Sequence, residues 1–129
     1  MGSRLTDGLI ALRRDYLDQL RPTMELIGHE WAGWCSGDRD AGLRLRREVH
    51  RLHGSGATFG FRNISRVAEE LERLLDRALV APELDVEEVD AIERGLERLA
   101  TVAERIDQSG RVKPRSPSGD PAASPGSRG

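Results

Sequence analysis

Apolar residues recur at steps of three and four along four separate stretches of the chain, and each stretch predicts an amphipathic helix. The first runs from Leu5 to about Trp34, with Leu9, Ile10, Leu17, Leu20, Met24, Ile27, Trp31 and Trp34 as its apolar positions. Pro22 interrupts it, because proline lacks the N–H and crowds the preceding turn, so the pattern predicts a kinked helix or two consecutive helices meeting near Arg21. The tryptophans, at helical spacing, are predicted core residues. Cys35-Ser36-Gly37-Asp38 reads as a stop and a restart: Gly37 suits the left-handed position after a helix, and Asp38 can cap the next one.

The second helix is predicted from about Arg39 to Leu52 or a little beyond, with Leu45, Val49 and Leu52 on its core face and Gly56 in line if it continues. At about 100° per residue, Arg46, Arg47, His50, His53 and Gly54 then fall on or beside the wet face. Phe59 and Phe61 are expected to turn inward as anchors around Gly60. A third helix, from Arg62 or Asn63 to about Leu79, carries the stripe Ile64, Val67, Leu71, Leu74 and Ala78, and Ser65, Glu69, Glu72 and Asp76 run along one flank. Val80-Ala81-Pro82 breaks it. Asp85 followed by Glu88 is a capping-box start for the fourth, in which Val89, Ile92, Leu96, Leu99, Ala103 and Ile106 repeat to about Gln108. Four such stripes with short connections predict an all-α antiparallel four-helix bundle over residues 1–108. From Ser109 to Gly129 the chain turns to Gly, Ser, Pro, Arg and Ala, a composition expected of a flexible tail or linker.

Composition narrows the chemistry. A chain of 129 residues holds one domain with a real core. Its formal charge of -2 gives no global drive toward a polyanion, so nucleic acid is not the expected partner. A single cysteine, Cys35, leaves no internal disulfide or multi-cysteine zinc site and suits a reducing compartment. No apolar run approaches the ~18 residues that span a bilayer, and no signal pattern opens the chain, so a cytoplasmic protein without a membrane partner is expected.

What stands out is the stretch Val49 to Glu72, where Gly54, Gly56 and Gly60 gather beside His50. Glycine inside a helix costs about 1 kcal/mol relative to alanine, so three in one short span suggest that side chains there would obstruct something. A solvent-facing imidazole is a nucleophile toward phosphorus when one ring nitrogen is free and an acceptor holds the other as N–H. Glu72, on the neighbouring helix, is the candidate acceptor. Arg46, Arg47, Arg51 and His53 offer donors for phosphate oxygens, and Gly54, one turn after His50, leaves room for a partner to reach the ring.

The run H-R-L-H-G-S-G-A-T-F-G-F, His50 to Phe61, with the later Leu71-Glu72, resembles the motif of histidine phosphotransfer (HPt) domains, and its G-x-G-A-T-F-G-F part is especially similar to the N-terminal phosphotransfer domain of chemotaxis histidine kinases. The resemblance covers about residues 5 to 108. It implies a four-helix bundle that carries a phosphoryl group without kinase activity or a cofactor of its own, exchanging it with a histidine kinase or a response-regulator receiver whose Mg²⁺ stays with the receiver. It further implies that His50 is the phosphoacceptor, Glu72 the group behind the ring, Gly54 the clearance position and Gly60 the turn glycine. One residue departs from the pattern: His53 stands where the family usually has lysine, a cation that is permanent where a histidine is charged only in part at neutral pH.

Three other readings are weaker. His50 and His53 lie one turn apart, as metal ligands can, but their near companions are arginines and His29 is remote, so no complete ligand set is evident. A helix-turn-helix would open its second helix with Arg62, Asn63 and Arg66, yet Glu69, Glu70, Glu72 and Asp76 that follow would repel phosphates. An autonomous kinase would need a glycine-rich nucleotide loop that is not present. Whether the bundle is a free-standing carrier or a domain from a larger chemotaxis-type kinase stays open at this level.

Overall fold

The computed structural model describes residues 2–111, and the side chains of residues 7–106. Four helices follow in order: α1 (Gly2–Cys35), α2 (Arg39–Thr58), α3 (Arg62–Val80) and α4 (Val86–Arg111). Each packs on its chain neighbours and α4 closes back on α1, while among the described residues the backbones of neither diagonal pair come close, so the helices form an up-and-down ring around one core. The broadest contact is between α2 and α3.

The start and stop signals act as their chemistry dictates. Gly37 takes φ +107°, and the N–H groups of Gly37 and Asp38 close back on the carbonyls of Trp34 and Gly33. The Asp38 carboxylate accepts from the Asp40 and Ala41 amides at 3.0 and 3.3 Å. At the head of α4 the capping box is reciprocal: the Glu88 N–H donates to Asp85 at 2.7 Å, and the Asp85 N–H donates to Glu88 at 3.2 Å. Arg39 reaches across from α2 to donate to the carbonyls of Leu79 and Ala81, satisfying the otherwise open end of α3.

The core consists of Leu17, Leu20, Ile27, Trp31 and Trp34 from α1; Ala41, Leu45, Val49 and Leu52 from α2; Ile64, Val67, Ala68, Leu71, Leu75 and Ala78 from α3; and Ile92, Leu99 and Ala103 from α4. Trp31 and Trp34 meet edge to face, their ring centres 5.7 Å apart. Burying a side chain such as Leu45 or Ile64 contributes about 1.5–3 kcal/mol each, and this burial, rather than helix propensity, holds the bundle together.

Four features depart from what the sequence predicts. Pro22 lies inside α1, which continues through it, so the alternative of two consecutive helices does not hold. Leu9 and Ile10 do not join the core, being 51 % and 49 % exposed, and neither does Leu12. The reason is length: at about 1.5 Å per residue, the 34 residues of α1 reach ~51 Å and the 20 of α2 only ~30 Å, so the beginning of α1 outruns its partners. α2 does not stop near Leu52 but runs through Gly54 and Gly56 to Thr58, and α4 extends three residues past Gln108 to Arg111. The remainder of the Gly/Ser/Pro-rich segment lies outside the described residues. The buried stripe of α3 is also wider than predicted: Leu75 is fully buried where Leu74 is only partly so, and Ala68 joins it.

Candidate functional site

The site is built by the turn between α2 and α3. Gly60 takes φ +84°, which reverses the chain in a conformation that other residues rarely adopt. Phe59 and Phe61 on either side pack on Tyr16 of α1, with ring centres at 5.5 and 5.1 Å, and Arg13 lies over the Phe61 ring. Phe61 therefore packs against the core as the sequence predicts, whereas Phe59, half-buried, touches Tyr16 without joining the core. Gly56 is where the backbones come closest: a Cβ there would sit 3.1 Å from the Phe61 carbonyl oxygen and from the Ser65 nitrogen. That approach lets the Ser65 hydroxyl donate to the His53 carbonyl at 2.8 Å, fixing the register of α3 against α2. Two turns further along α3, on the same face, stands Glu72.

Glu72 is consequently placed between two imidazoles. His50 Nδ1 lies 2.8 Å from one carboxylate oxygen, Oε2, and His53 Nδ1 lies 3.1 Å from the other, Oε1. The Arg46 guanidinium reaches Oε2 at 3.2 Å while its Nε donates to Asp76 at 2.8 Å. The Glu72 side chain is only 12 % exposed, His53 34 % and His50 60 %. Burial pushes the Glu72 carboxyl up, but the hydrogen bonds from His50 and His53, with the electrostatic attraction of His50 and of the Arg46 guanidinium, outweigh it and hold the group below the usual carboxylate range. A firmly ionised carboxylate thus sits beneath an exposed ring whose second nitrogen, Nε2, is directed away from it. The two rings are perpendicular, with centres 6.3 Å apart.

The remaining candidates divide. A Cβ on Gly54 would meet nothing within 4 Å, so no packing among the described residues requires a glycine there. Gly60 shapes the turn and does not touch the rings. Arg47 is exposed beside His50 on α2, whereas Arg51 is drawn to Glu48 at 3.1 Å and Arg46 to Glu72 and Asp76, so two of the three arginines expected to offer donors for phosphate are engaged by carboxylates. Cys35 is a free, exposed thiol at the end of α1, remote in the chain from this site. Among the described residues no helix is long and apolar enough to cross a membrane.

Three contributors were not read from the sequence in these roles: Ser65 as the register contact, Asp76 as the anchor of Arg46, and Glu72 as the shared partner of His53. Ser65, Glu72 and Asp76 were visible as one flank of α3, and that flank was their signal. Glu69, assigned to the same flank, pairs instead with Arg73 within α3. For metal ligation, too, the pair His50 and His53 lacked a third donor in the sequence, and the fold supplies one. One ligand atom from each of His50, His53 and Glu72 lies within 4.8 Å of the others.

The family model of the Hpt domain matches residues 11–102. The chain therefore belongs to the Hpt domain family, whose members are four-helix histidine phosphotransfer domains that carry a phosphoryl group within phosphorelays and are not themselves kinases. No curated protein and no solved structure matches it.

Proposed function

We propose that this chain carries a phosphoryl group on His50 Nε2, taking it from a histidine kinase or a receiver aspartate and passing it to a response-regulator receiver. The observation that carries this reading is the 2.8 Å contact between His50 Nδ1 and a largely buried, ionised Glu72 beneath a ring that is 60 % exposed. Glu72 accepts from Nδ1–H, which leaves the lone pair on Nε2, facing the partner. Nε2 attacks phosphorus as the bond to the departing aspartyl oxygen breaks, and the positive charge that develops on the ring is met by Glu72. The reaction runs in either direction because the resulting P–N bond is itself labile.

Gly54 gives the incoming domain access to the ring, and Arg47 lies on the same exposed face to meet phosphate oxygens. The Mg²⁺ that neutralises the transferring group belongs to the receiver. These roles are the same for a free-standing carrier and for the phosphoacceptor domain of a larger chemotaxis-type kinase, working in the cytoplasm without nucleic acid or membrane. Incubation with a phosphorylated receiver or an active kinase should yield an acid-labile, base-stable adduct. His50→Gln abolishes it with helical circular dichroism unchanged; an undiminished adduct in that variant overturns the assignment.

A further inference from the structure

His53, the residue that departs from the family pattern, gives the site a capacity that lysine would not. We propose that His50, His53 and Glu72 form a binding site for a borderline transition-metal ion such as Zn²⁺, and that the bound ion shuts off His50 as a nucleophile. The second half of the proposal rests on the phosphotransfer reading; the first does not.

The geometry is close to that of a metal centre already. Two imidazole nitrogens converge on one carboxylate at 2.8 and 3.1 Å, and the three donor atoms lie within 4.8 Å of one another. Ligands of a tetrahedral zinc, at bonds of 2.0–2.2 Å, stand roughly 3.3 Å apart. The donors therefore have to draw together from within 4.8 Å to that spacing when an ion binds. The donors come from a rigid frame: His50 and His53 are one turn apart on α2, and Glu72 is registered against them by the Ser65 contact. With 60 % of the His50 side chain exposed, an ion can enter and keep water at its open positions. The donor set also discriminates. Two imidazoles and one carboxylate suit Zn²⁺, Cu²⁺ or Ni²⁺, whereas Mg²⁺ takes oxygen ligands and keeps its waters, so the Mg²⁺ required by a receiver does not compete for this site. Arg46 opposes a cation on Glu72 Oε2, and its bond to Asp76 gives it a second anchor when an ion displaces it.

The consequence for His50 follows from its two nitrogens. In the free domain Nδ1 carries the proton and Nε2 the lone pair. A metal on Nδ1 takes that lone-pair direction, so the ring's one remaining proton moves to Nε2 through solvent, with no proton gained or lost overall. Nε2–H has no lone pair to offer phosphorus. The carboxylate that met the developing charge is occupied by the metal as well.

The test begins with ZnSO₄ titrated against a chromophoric chelator in the presence of the full-length chain and excess Mg²⁺. The expected result is one Zn²⁺ per chain, with His53→Gln and Glu72→Gln each weakening it by more than about 10-fold while circular dichroism stays unchanged. Two-bond ¹⁵N–¹H spectra should show the His50 proton moving from Nδ1 to Nε2 on saturation. Phosphorylation by a fixed phosphodonor, each protein normalised to its own zinc-free rate, should fall with zinc in the wild type and much less in His53→Gln. Absence of zinc binding, or binding undiminished in His53→Gln, overturns the site. An unchanged His50 tautomer at saturation, or equal fractional inhibition in both proteins, overturns the blockade. A protein that takes no phosphoryl group even without zinc overturns the functional reading and the blockade with it, whereas the titration decides the site independently.

Discussion

Replacing Glu72 with Gln changes one atom and tests how much the site depends on a carboxylate. In the wild type each oxygen accepts from one imidazole, His50 at 2.8 Å and His53 at 3.1 Å. An amide has one acceptor oxygen and an NH₂ group that only donates, so only one Nδ1–H can be satisfied, and the other ring faces that NH₂ group. The negative charge that meets the developing imidazolium is also gone. A hydrogen bond involving a charged group contributes about 1.5–3 kcal/mol against about 0.5–1.5 for a neutral pair, and the His50 ring is 60 % exposed, so solvent screening favours the low end of the difference. A loss of about 1 kcal/mol in the transition state corresponds to transfer about fivefold slower. The assay is single-turnover transfer from a radiolabelled, phosphorylated receiver, quenched on a millisecond-to-second series, with thermal unfolding measured in parallel. Because the two rings share one group, adding Glu72→Gln to His53→Gln should cost less than the product of the separate effects. A rate for Glu72→Gln equal to wild type, with the fold intact, would remove Glu72 from the chemistry.

Gly54→Leu should raise the unfolding midpoint, since it removes a helical glycine that costs about 1 kcal/mol and nothing lies within 4 Å of its Cβ direction, yet weaken receiver binding measured by calorimetry; unaltered affinity would mean that the open space is not used by a partner. Gly42→Ala should do the opposite, because its Cβ would lie 2.6 Å from the Trp34 ring: a loss of about 1–3 kcal/mol in urea unfolding, with the transfer rate per folded molecule unaffected. Acid should expose the Glu72 interaction. Its folded-state carboxyl titrates below the unfolded reference of about 4.3, so its contribution is complete above that pH and is lost as pH falls through the lower folded value. The stability difference between wild type and Glu72→Gln should therefore shrink as pH falls below about 4; a difference that grows over that interval would reverse the sign of the shift.

The four helices were legible because each carries its own stripe and its own punctuation. Asp38, Gly37, Asp85 and Glu88 act locally, within three residues of the groups they satisfy, so a linear pattern reveals them. What the pattern could not show is set between helices. Gly42 looks like an ordinary helical glycine until α1 lays Trp34 against it, and Gly95 until Leu71 reaches a point 2.9 Å from where its Cβ would be. Glu30, the one charged residue buried among the described residues, survives there because Arg44 of α2 donates to it at 2.8 Å, a pairing 14 residues distant that no periodicity announces. The same holds within the site. His50 facing Glu72 was inferred from antiparallel neighbours, but the share taken by His53 depends on the rotational setting of α3. That setting follows from the close approach at Gly56 and the Ser65 hydrogen bond. Leu75 rather than Leu74 at the centre of the core reports the same rotation.

The central claim is that one nitrogen of one residue takes the phosphoryl group. Two-dimensional ³¹P–¹H NMR of the chain phosphorylated by a receiver or kinase, combined with fragmentation mass spectrometry at neutral to alkaline pH, reads both the residue and the atom. A single phosphorus on His50, coupled to both ring protons as attachment at Nε2 requires, is the predicted result; phosphate on His53 or His29, or attachment at His50 Nδ1, would contradict it.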